Sequence, residues 1–258
     1  MKNSSKIYLD YNATTPVDER VVEAMLPFFT RLFGNASSND HIFGWEADDA
    51  VDVAREQLAD LIGASANEIC FTSGATEAIN LGLRGFCNAN KARGNHIITC
   101  KTEHKAVLET CRHLEEVGFD ITYLDVNFNG AIDLDELKTS ITKKTLLVCL
   151  MHANNETGVI HPVKEIAELC RSKGVRFFSD ATQSVGKLPV NVKEMCADMI
   201  AFSSHKLYGP KGAGALYIAG ENKPTIYPLF TGGGQEKGLR PGTLNVPAIV
   251  GFGKACEI

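Results

Sequence analysis

Leu146-Leu147-Val148-Cys149-Leu150-Met151 is an apolar run with no polar residue to turn toward water. It is far too short to cross a membrane and too continuous for a half-buried strand, so it reads as a strand covered on both faces. Such strands belong to parallel sheets with helices on each side. Working outward, strand-like runs recur at 68–72, 96–100, 121–124, 145–151, 175–179 and 199–202. Helical patterns fall between them near 75–88, 105–117, 133–140 and 163–173. The alternation predicts an α/β fold: a mainly parallel central sheet flanked by helices. Toward the N-terminus, 7–16 reads as a short strand running into a loop. Pro16 and Asp18 then open a helix with Val21, Val22, Met25, Leu26 and Phe29 on one face. A second amphipathic helix runs from Trp45 to Ile62 and stops at Gly63.

The length of 258 residues allows one large domain or two modest ones. Apolar residues make up 44% and charged residues 22%, which is ordinary for a globular protein, and a net charge of −5 argues against a nucleic-acid or anionic-membrane surface. The first ten residues lack the apolar centre of a signal peptide, so the expected location is the cytoplasm. Eight cysteines, at 70, 87, 100, 111, 149, 170, 196 and 256, form no Cys-x-x-Cys pair. They read as reduced thiols, with neither a disulfide framework nor a zinc site.

Ligands of parallel sheets bind beyond the carboxyl ends of the strands, so the polar residues there carry the function. The run 199–202 passes into Ser203-Ser204-His205-Lys206-Leu207-Tyr208-Gly209-Pro210. A lysine held at the end of a core strand loses solvent, which lowers its pKa and makes its amine a nucleophile toward an aldehyde. Taken alone, a Ser-x-His-Lys of this kind reads as an ordinary solvated loop lysine. Ser73-Gly74-Ala75-Thr76-Glu77 is a small-residue turn opening a helix, either a plain cap or a phosphate cup. Asp180 ends the 175–179 run and would cap a helix or hold a cationic ring nitrogen, and Gln183 offers an amide one turn on. His104 follows Cys100 closely enough to stack on a planar ring or move a proton. Asn155 follows the 145–151 run with an amide suited to a carboxylate, and 231–243 is a glycine-rich loop carrying Arg240 and Thr243. Asp125-Val-Asn127-Phe-Asn129-Gly130 with Glu136 matches a calcium-loop pattern, but a strand precedes it. Asn-Gly and Asp133 favour a turn leading into a helix.

Together, Tyr8-Leu-Asp10-Tyr-Asn12-Ala-Thr-Thr-Pro16, Thr72-Ser-Gly-Ala-Thr-Glu77, Thr102-Glu-His-Lys-Ala106, Met151-His-Ala-Asn-Asn-Glu156, Ser179-Asp-Ala-Thr-Gln-Ser184, 203–212 and 232–243 resemble the cysteine desulfurases. These are pyridoxal-phosphate enzymes of the class V aminotransferase group. The resemblance implies a fold-type I large domain at 16–258 behind an N-terminal arm at 1–15, working as a homodimer. It implies that Lys206 carries pyridoxal 5'-phosphate, that His104 stacks on its ring and moves protons, and that Asp180 and Gln183 hold the ring nitrogen and hydroxyl. Ala75, Thr76, Ser203 and His205 would hold the phosphate, with Thr243 reaching it from the partner subunit. Asn155 would face cofactor and substrate. The family reaction takes sulfur from L-cysteine onto an enzyme cysteine as a persulfide, leaves L-alanine, and passes the sulfur to acceptor or scaffold proteins for iron-sulfur cluster assembly. No metal site, nucleic acid or membrane is implied. Family members continue into a small C-terminal domain bearing the persulfide-forming cysteine. A chain ending at Ile258 is therefore expected to bind the cofactor without full turnover. A selenocysteine lyase or another relative with the same cofactor is the alternative.

Overall fold

We describe residues 6–258 from a computed structural model; residues 1–5, the start of the expected arm, lie outside the described residues. Seven strands form one sheet: β1 (Ile69–Thr72), β2 (His96–Cys100), β3 (Asp120–Leu124), β4 (Thr145–Cys149), β5 (Arg176–Asp180), β6 (Met199–Ser203) and β7 (Gly214–Ile218). Their order is β1-β7-β6-β5-β4-β2-β3. The five from β6 to β3 are parallel, while β7 runs antiparallel to both β6 and β1. Each of the six expected strands is present within two residues at either end. The seventh, β7, is the apolar run that follows Gly212-Ala213.

The helices are α1 (Glu19–Met25), α2 (Pro27–Thr30), α3 (Ile42–Ile62), α4 (Ala75–Asn80), α5 (Phe86–Asn90), α6 (Lys105–Glu116), α7 (Leu134–Ser140), α8 (Val163–Ser172), α9 (Val192–Met195) and α10 (Val246–Glu257). A π turn, Leu81–Gly85, joins α4 to α5. Gly82 is needed in that turn, because a Cβ there would lie 2.4 Å from the Phe178 ring.

The central strands bury alternate residues in two separate cores. Phe177, Val148, Ile98, Ile200 and Phe202 face α3, α8 and α10 with Leu58, Ile62, Ile166 and Phe252. Phe178, Leu147, Ile97 and Met199 face α4–α6 with Ile79, Leu83, Phe86, Val107 and Leu114. This is why β4 is apolar from Leu146 to Cys149: both of its faces are inside. Each fully buried Phe or Leu contributes about 1.5–3 kcal/mol through removal from water.

Two local expectations are corrected. Residues 7–10 form no strand and pair with none of the seven, and Ile7 and Leu9 are exposed. The helix expected from Asp18 breaks at Leu26-Pro27, where the proline ring has no N–H to donate. Of its supposed apolar face only Val21 is buried, and Val22, Leu26 and Phe29 are exposed. The 125–136 segment is a tight turn, with Asn127 Oδ1 accepting the N–H groups of Asn129 and Ala131. Asp133 caps α7 and Asp125 pairs with Lys101.

Candidate active site

After β6 the chain makes one 3-10 turn, Ser204–Lys206, then turns sharply at Tyr208, a non-glycine residue with φ of 62°. That left-handed conformation costs about 1 kcal/mol or more and is held by neighbours. The Tyr208 N–H donates to Thr15 Oγ1 at 2.8 Å, and its carbonyl accepts the Asp18 N–H at 2.9 Å. Thr15 donates both its N–H and its hydroxyl to the His205 carbonyl, and His205 Nδ1 lies 3.0 Å from Thr14 Oγ1. The segment from Asn12 to Asp18 is thus stitched along the lysine turn. Lys206 Nζ donates to the carbonyls of Asn12 and, at 2.9 Å, Ala13. Burial lowers the Lys206 pKa, with Lys187 adding to the effect and Asp10 and Asp180 opposing it. This is the desolvated amine that the strand-end position predicts.

Asp180, the last residue of β5, is buried. Its Oδ1 accepts the Thr182 N–H at 2.9 Å. Among the described residues no cation lies within ion-pair distance of it. Burial raises its pKa, against the Thr182 bond and the nearby His104 and Lys206. A buried carboxylate with no counter-ion is costly, and a positive partner beside it would offset that cost. His104 caps α6: its Nδ1 accepts the Ala106 N–H at 3.1 Å, which puts the proton of a neutral ring on Nε2.

The turn between β1 and α4 is shaped by Gly74, whose φ of 154° few other residues reach. Gly214 lies directly beneath, close enough that a Cβ on it would sit 2.5 Å from the Gly74 backbone. Thr72 Oγ1 donates to the Gly74 carbonyl at 3.0 Å, and Glu77 Oε2 accepts the Ser73 N–H at 2.7 Å. The first N–H groups of α4 have no intrahelical acceptor and suit an anion.

These pieces converge on one cavity of about 970 Å³ at the carboxyl ends of the parallel strands. Ala75, Thr76, His104, Asn155, Asp180, Gln183, Ser203, His205 and Lys206 all line it. Thr243 does not: it is exposed, outside the cavity of its own chain. Gln183 is engaged, with Nε2 donating to the Asn12 carbonyl at 2.9 Å and Oε1 accepting from Lys187 at 2.7 Å. Sequence reasoning passed over Asp10 and Asn12–Thr14, which also line the cavity, because an arm far off in sequence gives no local sign of where it docks. No cysteine lines it. Cys100, four residues before His104, points into the core, where burial raises its pKa despite hydrogen bonds from Thr102. A primary amine, a buried carboxylate and an anion cup on one cavity fit a ligand with an aldehyde, a basic ring nitrogen and a phosphate.

Comparison with known proteins agrees with that chemistry. The family described as aminotransferase class-V matches residues 7–258. The chain is 54% identical over 252 residues to the cysteine desulfurase IscS of Anaeromyxobacter sp. (strain Fw109-5), covering 98% of this chain and 62% of that protein. To the protein of the same name from Histophilus somni (strain 2336) it is 56% identical over 254 residues, covering 98% and 63%. The chain thus spans somewhat less than two thirds of the curated relatives it matches. Among solved structures, a NifS-like protein superposes with a TM-score of 0.94 at 43% identity, covering 98% of this chain and 69% of that one. SspA in complex with cysteine gives 0.94 at 42%, covering 98% and 72%. The match along nearly the whole length shows that the chain belongs to the aminotransferase class-V family.

Proposed function

We propose that the cavity holds pyridoxal 5'-phosphate on Lys206 and that residues 16–258, behind the 1–15 arm, are the cofactor-binding large domain of a homodimeric cysteine desulfurase. The observation that carries this reading is the unpaired, buried Asp180 sharing one cavity with the desolvated Lys206 amine. The bound cofactor supplies an electron sink for negative charge at the substrate α-carbon.

The rest is the work of this chain's residues. Lys206, with its lowered pKa, has more neutral amine for attachment and afterwards is a base of suitable strength to move the α-proton. Asp180 keeps the ring nitrogen protonated, since a charge beside a buried carboxylate is favoured. Ser203, His205 and the start of α4 at Ala75 and Thr76 take the phosphate. His104 offers a flat ring and a proton on Nε2, and Asn155 an amide for the substrate carboxylate. Gln183 reaches the ring hydroxyl once it releases the Asn12 carbonyl. In the overall reaction the carbon–sulfur bond of L-cysteine breaks, sulfur passes to a thiolate as a persulfide, and the carbon skeleton leaves as alanine. The sulfur then goes to an acceptor or scaffold protein.

The purified chain titrated with pyridoxal phosphate is expected to develop a visible absorbance band that Lys206→Ala abolishes. A borohydride-reducible adduct of unchanged stoichiometry in Lys206→Ala would overturn the assignment. A second reading rests on the absence of any cysteine from the cavity lining: the chain binds the cofactor but takes no sulfur onto its own thiols at a catalytic rate. Mass spectrometry after incubation with L-cysteine checks it, and a gain of one sulfur with alanine released would refute it.

A further inference from the structure

We propose that Arg240 is a positioning residue for the anion cup, acting through Glu77 to set the Ser73–Thr76 turn and to neutralise a carboxylate beside the bound phosphate. The inference rests on the cofactor reading above and assigns a role to Arg240, which that reading does not use.

Glu77 lines the cavity and directly follows Ala75 and Thr76, the proposed phosphate position. A bare carboxylate there would repel a dianion. Arg240 meets it with two hydrogen bonds, Nε to Oε1 at 2.7 Å and Nη2 to Oε2 at 3.3 Å. Both side chains are largely buried, at 21% and 11% exposure, so water screens the pair little. Burial alone would raise the Glu77 pKa, but the bonds from Arg240 and Ser73 outweigh it and hold the carboxyl below its usual value. The oxygen that takes the Ser73 N–H thereby turns that donor into the protein and leaves the N–H groups of Ala75 and Thr76 to face a ligand.

The loop bearing Arg240 is itself anchored. Glu236 and Lys237 both adopt left-handed backbone conformations, with φ of 48° and 57°, an arrangement that persists only under external constraint. The constraint is Glu236, whose side chain is 2% exposed. It accepts the Phe71 N–H at 2.8 Å and two Arg55 bonds at 2.9 and 2.7 Å. Arg55 also donates to the Ile69 carbonyl at 2.9 Å. These groups cap the open edge of β1, the strand that leads into the cup. Bracketing the two anchors, Gln235 Oε1 accepts the Gly242 N–H at 2.9 Å. The cup and the loop are therefore clamped together at both ends.

The test compares pyridoxal phosphate with pyridoxal, which lacks the phosphate, by absorbance titration of the chain. Arg240→Met is expected to weaken pyridoxal phosphate by about tenfold or more while leaving pyridoxal within about twofold. Adding Glu77→Gln removes the stranded charge and is expected to recover part of the loss, which a merely structural role would not allow. Arg240→Lys, which keeps the charge with a single donor, should fall between and guards against misfolding of the methionine variant. Equal weakening of both ligands, or no weakening of pyridoxal phosphate, overturns the role of Arg240 and leaves the cofactor reading standing. A wild-type chain that binds neither ligand overturns both.

Discussion

Glu103 stands beside His104 in sequence but does not line the cavity: it is 5% exposed within the protein. Its Oε1 accepts the Met151 N–H at 2.7 Å, and Oε2 has no partner. Burial raises its pKa well above the ordinary value of 4.5, against the Met151 bond and with the Asp180 charge adding. A carboxyl whose folded pKa is raised contributes stability below its unfolded pKa and loses it as pH rises toward the folded pKa. Glu103→Gln keeps the acceptor and removes the proton linkage. The variant is expected to be more stable than wild type at pH 7 and to match it near pH 4. Between the two, the gap should widen by up to about 1.4 kcal/mol per pH unit. Urea unfolding across that range checks it, and a gap independent of pH would show that Glu103 does not take up a proton on folding. The Thr102-Glu-His pattern made the imidazole conspicuous and said nothing of this acid, because burial is a property of what packs above a residue.

At the scale of elements, the cup depends on a contact between two backbones. Gly214 opens β7 opposite Thr72 of β1 and supports Gly74 from below. Gly214→Ala would place a methyl 2.5 Å from the Gly74 backbone, and Gly214 has little room to yield, since β7 is paired on both sides. The variant is expected to lose about 1–3 kcal/mol of stability in urea unfolding and to bind pyridoxal phosphate less tightly than wild type. An unchanged unfolding midpoint would show that the turn relaxes freely. Local signals served well where an element ends on its own chemistry. Gly63 closes α3 with φ of 68° and its N–H on the Ala59 and Asp60 carbonyls, and Asp133 caps α7. They failed at residues 7–10, where apolar residues pair with none of the seven strands.

At the scale of the whole molecule, exposed apolar side chains gather on and around α1–α3. Leu26, Phe29, Phe33, Ile42, Phe43 and Trp45 are each about half exposed or more, and the rings of Phe33 and Phe43 stack 5.8 Å apart. A cluster of that kind marks a surface that something covers. Thr243 is exposed and outside its own chain's cavity, which suits a residue that serves a second copy. Light scattering is expected to give twice the 28.0 kDa of one chain, and Thr243→Ala to weaken pyridoxal phosphate without lowering the melting temperature. A monomer that binds the cofactor with Thr243 dispensable would refute the dimer.

The strand-end lysine, the carboxylate that ends β5, the small-residue turn and the α/β alternation were all legible in the chain itself. Each rests on residues adjacent in sequence: an apolar run decides burial, and the polar residue that ends it is carried to the sheet's edge. Tertiary structure alone decided that β7 turns antiparallel between β1 and β6, that Asn12 and Ala13 reach Lys206, and that Arg240 closes on Glu77. Those contacts join residues more than 140 positions apart, or strands whose direction depends on how the connecting loop packs. Composition and periodicity carry no record of either, because which distant groups meet is settled only when the two cores close around the sheet.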